Sequence, residues 1–124
     1  MGMPAVLIVD DNEDNLDLIA DTLGEDEFEV IRARSGTDAM SLLMSRHFDL
    51  VLLDIKMPDM NGFAVLEMVR FIPRLVKTAV IVQTAHGGSY NVERAKELGV
   101  KVILGKPVSP ATLLEEVRTC LVVC

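Results

Sequence analysis

The sequence predicts an α/β fold, a (βα)5 chain that forms a doubly wound, five-stranded parallel sheet. Short runs of aliphatic and β-branched residues recur with little polar alternation, as in strands that are covered on both faces. Amphipathic stretches of helical period separate these runs. Strands that alternate with helices in this way form a parallel sheet with helices on both faces. Ligands of such folds bind beyond the carboxyl ends of the strands, so functional residues are expected at that edge.

Four strong strands and a weaker one are expected. EVIRA at residues 29–33 is the weaker segment, and it suits a position at a sheet edge. The strong segments are apolar runs of strand length: AVLIVD at 5–10, DLVLLD at 49–54, AVIVQT at 79–84 and VKVILG at 100–105.

The intervening helices carry recognisable end signals. Gly24 stops the first helix, Ser35 caps the second, and Ser109 caps the last, with proline at its first helical position. Glu13 and Asp14 are expected only to begin the first helix, where acidic side chains suit the helix dipole. The predicted helices cover residues 12–23, the stretch after 35, the stretch from 63 towards 73, residues 90–98 and residues 110–121.

Length and composition limit the classes of protein that the chain can be. With 124 residues, half of them hydrophobic and a quarter charged, it fits one compact domain with a hydrophobic core. The net charge of −7 and the scattered basic residues argue against direct nucleic-acid binding. No apolar run approaches the roughly 20 residues that span a bilayer, and the N-terminus lacks a secretory signal, so we expect a cytoplasmic protein without a membrane partner. Cys120 and Cys124 have no histidine nearby and do not predict a zinc site.

Polar side chains gather at the predicted carboxyl ends of the strands: Asp10, Asp11, Asp54, Thr84 and Lys106. Three neighbouring carboxylates stay ionised at low cost only when a cation shares their site. Hard oxygen ligands favour Mg²⁺ or Ca²⁺, and Mg²⁺ leaves room for a phosphate oxygen. A carboxylate can also accept a phosphoryl group, whose oxygens a metal, a lysine ammonium and a threonine hydroxyl can each bind. The residues therefore fit Mg²⁺-dependent aspartyl-phosphate chemistry.

Four short motifs occur in a specific order along the chain: DD after the first strand, LLDIKMPDMNG around Asp54, QTA ending at Ala85, and GKP at 105–107. Together they resemble the receiver domains of two-component response regulators, and the resemblance covers nearly the whole chain. It implies the flavodoxin-like strand order 2-1-3-4-5 and a single receiver domain over residues 1–124.

The resemblance also implies a Mg²⁺ site. Asp10 and Asp11 match the metal-binding pair of the family, with Asp11 as the direct ligand and Asp10 acting partly through water. Asp54 and the backbone carbonyl of Lys56 would complete the protein ligands.

The resemblance further implies that Asp54 accepts a phosphoryl group from a sensor histidine kinase or a histidine phosphotransfer protein. Thr84 would hydrogen-bond a phosphoryl oxygen and Lys106 would pair with the group, while Pro107 would follow a cis peptide bond. The phosphorylated domain would then switch the binding of a downstream protein partner or an output domain. The only reactions it would catalyse are its own phosphorylation and dephosphorylation.

One position departs from the family pattern. Ile103, three residues before Lys106, stands where the family usually has Tyr or Phe, a ring that swings inward on activation. Output through the fourth and fifth helices and the fifth strand is therefore expected to be altered, weakened or moved to another face. Lys56 and His86 are expected to overhang the phosphoryl group and to change the lifetime of the aspartyl-phosphate.

Three other functions compete with this interpretation. A phosphorylation-independent, receiver-like interaction module is supported by Ile103. A Mg²⁺-dependent aspartyl-phosphate phosphatase is disfavoured because its second acid would stand two residues after the nucleophile, where this chain has Lys56. A flavin carrier is disfavoured because the acidic DDNED loop would repel the phosphate of the cofactor.

Overall fold

The computed structural model describes residues 2–54, 62–84, 89–100, 102–105 and 108–123, and for residues 84, 89–92, 122 and 123 it describes the backbone alone. Strands and helices alternate along these residues, as predicted. The strands are β1 (Ala5–Val9), β2 (Glu29–Ala33), β3 (Leu50–Asp54), β4 (Ala79–Thr84) and β5 (Val102–Gly105). The helices are α1 (Glu13–Leu23), α2 (Gly36–Ser45), α3 (Gly62–Phe71), α4 (Ser89–Glu97) and α5 (Pro110–Val123), with a 3₁₀ turn at Pro73–Leu75.

All strand pairs are parallel, and the sheet order is β2-β1-β3-β4-β5. This order confirms the predicted α/β fold with strand order 2-1-3-4-5. Every residue of β1 and β3 is buried, as expected for the inner strands of a sheet covered on both faces. The weaker segment, β2, lies at an edge with most of its residues partly or fully exposed, as its sequence indicated.

Two apolar layers cover the sheet. Leu7 and Val9 pack with residues of α2, α3 and α4 on one face, whereas Val6 and Ile8 pack with residues of α1 and α5 on the other. Side chains alternate between the two faces along each strand. The residue that follows Val9 therefore belongs to the face of α1 and α5.

The helix ends follow the sequence signals. The Asn12 side chain caps α1 by accepting a hydrogen bond from the Asn15 N–H at 3.1 Å, and Gly24 ends the helix at a φ of 74°. Ser35 caps α2, and the Ser109 hydroxyl accepts from the Thr112 N–H at 3.1 Å at the start of α5. These caps fix where the loops after β1, β2 and β5 become helices.

Three strand boundaries differ from the prediction: β3 begins at Leu50 instead of Asp49, and each of the other two has a local reason. β5 begins at Val102 instead of Val100, because the Val100 N–H bonds the Ala95 carbonyl at 3.1 Å and so closes α4. β1 ends at Val9 instead of Asp10. The Asp10 carboxylate accepts a hydrogen bond from the Asn12 N–H in the following loop. No helix in the described part of the chain is long and apolar enough to cross a membrane.

Candidate functional site

Three carboxylates meet at the carboxyl edge of the sheet. Asp10 follows β1, Asp11 follows it in the loop to α1, and Asp54 is the last residue of β3. One oxygen from each side chain lies within 4.8 Å of the other two. Asp10 and Asp54 are buried, with 1% and 7% of their surface exposed, whereas Asp11 is exposed. Such a cluster of oxygen ligands fits a hard divalent cation, whose charge would offset the mutual repulsion.

Asp10 is oriented by the start of α1. Its Oδ1 accepts a hydrogen bond from the Asn12 N–H at 2.9 Å, and its Oδ2 accepts from the Asn15 side-chain amide at 3.4 Å. The Asp10 N–H in turn donates to the Ala33 carbonyl of β2 at 3.1 Å. Backbone and side chain are thus both held, and the positive end of the α1 dipole faces the acidic cluster. The role of Asn15 in orienting Asp10 was not predicted from the sequence.

Gln83 is a third buried polar side chain in the same part of the sheet, and its role was not predicted from the sequence. It is 4% exposed and pairs with Asp54 in the ladder between β3 and β4. Its Nε2 atom is buried and has no hydrogen-bond partner among the described residues. The signal in the sequence was an amide between the apolar run AVIV and Thr84.

The remaining predicted site residues are described only in part. Thr84 ends β4 beside Gly105, so its backbone lies at the expected edge. Ile103 is partly buried, pairs with Val82, and packs against the apolar layer of α2, α3 and α4. The predictions for Lys56, His86, Lys106 and Pro107 fall on positions outside the described residues.

Two ion pairs join the helices that flank β5 to other segments of the chain. Arg118 of α5 donates to both carboxylate oxygens of Glu27, with N–O distances of 2.7 and 2.9 Å, and these hydrogen bonds lower the pKa of Glu27. Arg94 of α4 donates to Glu67 of α3 at 3.0 Å, and this hydrogen bond raises the pKa of Arg94. Both pairs are largely exposed and add little to stability. They join α4 to α3, and α5 to the segment before β2.

The family model of the response regulator receiver domain matches residues 6–118 of the chain. The chain belongs to this family. The polar-differentiation response regulator DivK of Brucella ovis is 33% identical over 117 residues, which cover 94% of this chain and 95% of DivK.

Solved receiver structures are also similar to this receiver domain. The CheY-like receiver domain protein of Methanospirillum hungatei JF-1 has a TM-score of 0.89 at 30% identity, covering 97% of this chain and 94% of that one. The chemotaxis response regulator CheY4 of Vibrio cholerae has a TM-score of 0.89 at 29% identity, covering 97% of this chain and 100% of that one.

The family assignment and the geometry agree. The domain is a CheY- and DivK-like receiver of two-component signalling, a signalling protein and not an enzyme in the usual sense. Its acidic cluster lies at the carboxyl edge of the sheet and is consistent with a Mg²⁺ site.

Proposed function

We propose that this receiver domain accepts a phosphoryl group on Asp54 from a phosphohistidine of a sensor histidine kinase or a histidine phosphotransfer protein. Phosphorylation would then switch the binding of a downstream protein partner or an output domain. The observation that carries this proposal is the approach of the Asp10, Asp11 and Asp54 carboxylates to within 4.8 Å of one another. The mutual repulsion of these carboxylates is tolerated where a bound cation offsets it, and the same cation would neutralise the oxygens of an incoming phosphoryl group.

Mg²⁺ fits the oxygen atoms of this cluster. Asp11 is exposed and would bind the ion directly, whereas both oxygens of Asp10 already accept hydrogen bonds, so Asp10 would act partly through water. Asp54 and the backbone carbonyl of Lys56 would supply the other protein ligands. Bound Mg²⁺ would neutralise the carboxylates and the oxygens of the incoming group.

The transfer itself requires Asp54 to be ionised. A carboxylate oxygen of Asp54 attacks phosphorus and forms a new O–P bond, while the N–P bond to the donor histidine breaks. The electron pair of the N–P bond remains on the imidazole, which takes up a proton. Thr84 would donate a hydrogen bond to one phosphoryl oxygen, and the Lys106 ammonium would pair with another. Hydrolysis of the acyl phosphate would return the domain to its first state.

The wider setting follows from the family. We propose that residues 1–124 act as one receiver domain, because the described strands form one sheet that spans the match to the family model. Its phosphohistidine donor belongs to two-component signalling, and on that ground we propose the cytoplasm as its location.

A second candidate is a receiver-like module that binds its partner without phosphorylation. Ile103 favours this candidate, because its aliphatic side chain packs against the apolar layer and offers no ring to couple the site to a partner surface. The phosphatase alternative has no such support, since Lys56 occupies the position of the second acid.

Acetyl phosphate separates the two candidates. The protein is incubated with acetyl phosphate and Mg²⁺, and its intact mass is then measured by mass spectrometry. We expect the mass of one added phosphoryl group, lost on chelation of the metal and in Asp54→Asn. Asp21→Asn, which removes an exposed acid further along α1, is the matched control and should be phosphorylated normally. No adduct, even with a cognate kinase as donor, would favour the phosphorylation-independent module.

A further inference from the structure

Gln83 has a buried side-chain amide whose nitrogen has no hydrogen-bond partner among the described residues. The residue is 4% exposed, and its buried Nε2 atom has no hydrogen-bond partner in the part of the chain that the structure describes. Burying an N–H group without an acceptor costs free energy, and an apolar side chain of the same size would avoid that cost. Few buried polar groups in folded proteins lack a partner, so each one calls for a reason.

The position of Gln83 in the sheet indicates its natural partner. Ile81 packs with α1 and α5, so Gln83, two residues later, lies on that same face. On β3, Leu52 packs with α1 and α5, so Asp54, two residues later, also lies on that face. Asp54 pairs directly with Gln83 in the ladder between β3 and β4. Neighbouring strands lie about 4.8 Å apart, which is within reach of a glutamine side chain.

The three buried polar side chains of the described residues form a single row. They are Asp10, which directly follows β1, Asp54 of β3 and Gln83 of β4, and these three strands are neighbours in the sheet. The first two are acceptors when ionised, and the third is a donor that pairs with Asp54 in the ladder between β3 and β4. Asp54 lies between the other two, because β3 lies between β1 and β4.

We infer that Gln83 is a positioning residue of the phosphorylation site, whose side-chain N–H donates a hydrogen bond to an oxygen of the phosphorylated Asp54 side chain. This inference rests on the proposed phosphorylation of Asp54. In the unphosphorylated protein the donor has no partner among the described residues, and an acceptor-rich phosphoryl group would provide one. The unphosphorylated state therefore bears a cost that phosphorylation removes. That difference favours the phosphorylated state.

Gln83→Met tests this role, because methionine has a similar length and shape but no donor. With acetyl phosphate and Mg²⁺ at saturating donor, we expect the rate of phosphorylation to fall about tenfold, the effect of one hydrogen bond to a charged group. We also expect faster loss of the phosphoryl group. The unphosphorylated variant should melt at a higher temperature than the wild type, because the unpaired amide has been removed. Leu104→Met is the matched control, since Leu104 flanks Gln83 in the ladder but donates no side-chain hydrogen bond.

NMR gives a second measurement that does not depend on the variant folding. The side-chain ¹H–¹⁵N signals of Gln83 are followed in the wild type as Mg²⁺ and beryllofluoride are added. We expect a downfield shift of one amide proton on formation of the beryllofluoride adduct, as the N–H gains an anionic acceptor.

The outcomes separate the two proposals. A wild-type chain that gains no phosphoryl mass contradicts the proposed function and, with it, this inference. A wild-type chain that is phosphorylated, with Gln83→Met equally fast and the amide signals unmoved, overturns the inference alone. A change in melting temperature without a change in either rate would assign Gln83 a purely structural role and would also overturn it.

Discussion

The Asn12 N–H donates to the carboxylate of Asp10 at 2.9 Å, so the first turn of the loop after β1 holds a buried acid in place. Asn12 is also the N-cap of α1, and it therefore links the start of that helix to the acidic cluster. Asp11, the next residue after Asp10, is exposed and has no such restraint among the described residues. Two adjacent acids of the same motif thus have different environments, and we expect different effects when each is changed.

Removing the Asp11 charge should stabilise the metal-free protein and abolish its response to Mg²⁺. Asp11→Asn relieves repulsion with Asp10 and Asp54, which we expect to raise the free energy of unfolding by about 1 kcal/mol at an exposed position. Wild-type protein should gain stability on addition of Mg²⁺, because the ion binds only the folded state. Calorimetry with EDTA and with Mg²⁺ measures both effects. Equal stabilisation of the variant and the wild type by Mg²⁺ would exclude Asp11 as a direct ligand.

The Asp49 carboxylate should contribute to the free energy of unfolding in a pH-dependent way. Burial by itself raises the pKa of Asp49, but hydrogen bonds from the Ala5 N–H at 2.8 Å and the His47 ring at 3.1 Å outweigh it and lower the pKa below 3.8. A group whose pKa is lower in the folded state stabilises above its unfolded pKa, and this contribution is lost as the pH falls through the folded pKa.

Asp49→Asn should therefore be less stable than the wild type at pH 7, and the difference should disappear well below pH 3.8. We expect a difference of about 1 kcal/mol or less, because the Asp49 side chain is 41% exposed and solvent screens it. Urea unfolding at neutral and acidic pH measures it. A difference that stays constant across this range would mean that the substitution acts through packing instead of charge.

Ile103→Tyr restores the aromatic residue that the family usually carries at this position. Ile103 lies within β5 and packs towards α2, α3 and α4, whereas the three carboxylates lie beyond the carboxyl ends of β1 and β3. We expect the rate of phosphorylation by acetyl phosphate to remain within about twofold of the wild type, because the site chemistry needs no ring. Fluorescence of the introduced tyrosine should change on phosphorylation if it adopts the inward position. A large fall in phosphorylation rate would show that this position contributes to the chemistry.

Gly24 ends α1 with a φ of 74°, a conformation that a side chain adopts only with strain. Gly24→Ala should lower the free energy of unfolding by about 1 kcal/mol through this strain alone. An added Cβ would meet no atom within 4 Å, so a steric clash does not enter the result. Gly2→Ala is the matched control, because its Cβ also meets no atom within 4 Å and its φ is not in the positive range. Equal unfolding midpoints for both variants would contradict this account.

The sequence by itself determined the alternation of strands and helices, because burial on two faces and helical amphipathicity leave different periods in the order of residues. It also placed Asp10, Asp11 and Asp54 at one edge, since parallel strands bring their carboxyl ends together. The strand order was predicted from the family resemblance, because the order in which strands pair cannot be deduced from the local periodicity of the sequence.

Only the tertiary structure identified Gln83 and Asn15 as neighbours of the acidic residues. Asn15 lies within an ordinary amphipathic helix, and its approach to Asp10 depends on how α1 leaves the loop after β1. Gln83 in isolation is one polar residue in an apolar strand. The pairing of β4 with β3, a contact between segments distant along the chain, places Gln83 opposite Asp54 in the ladder. Local sequence patterns specify which elements form, whereas the register between strands decides which side chains meet.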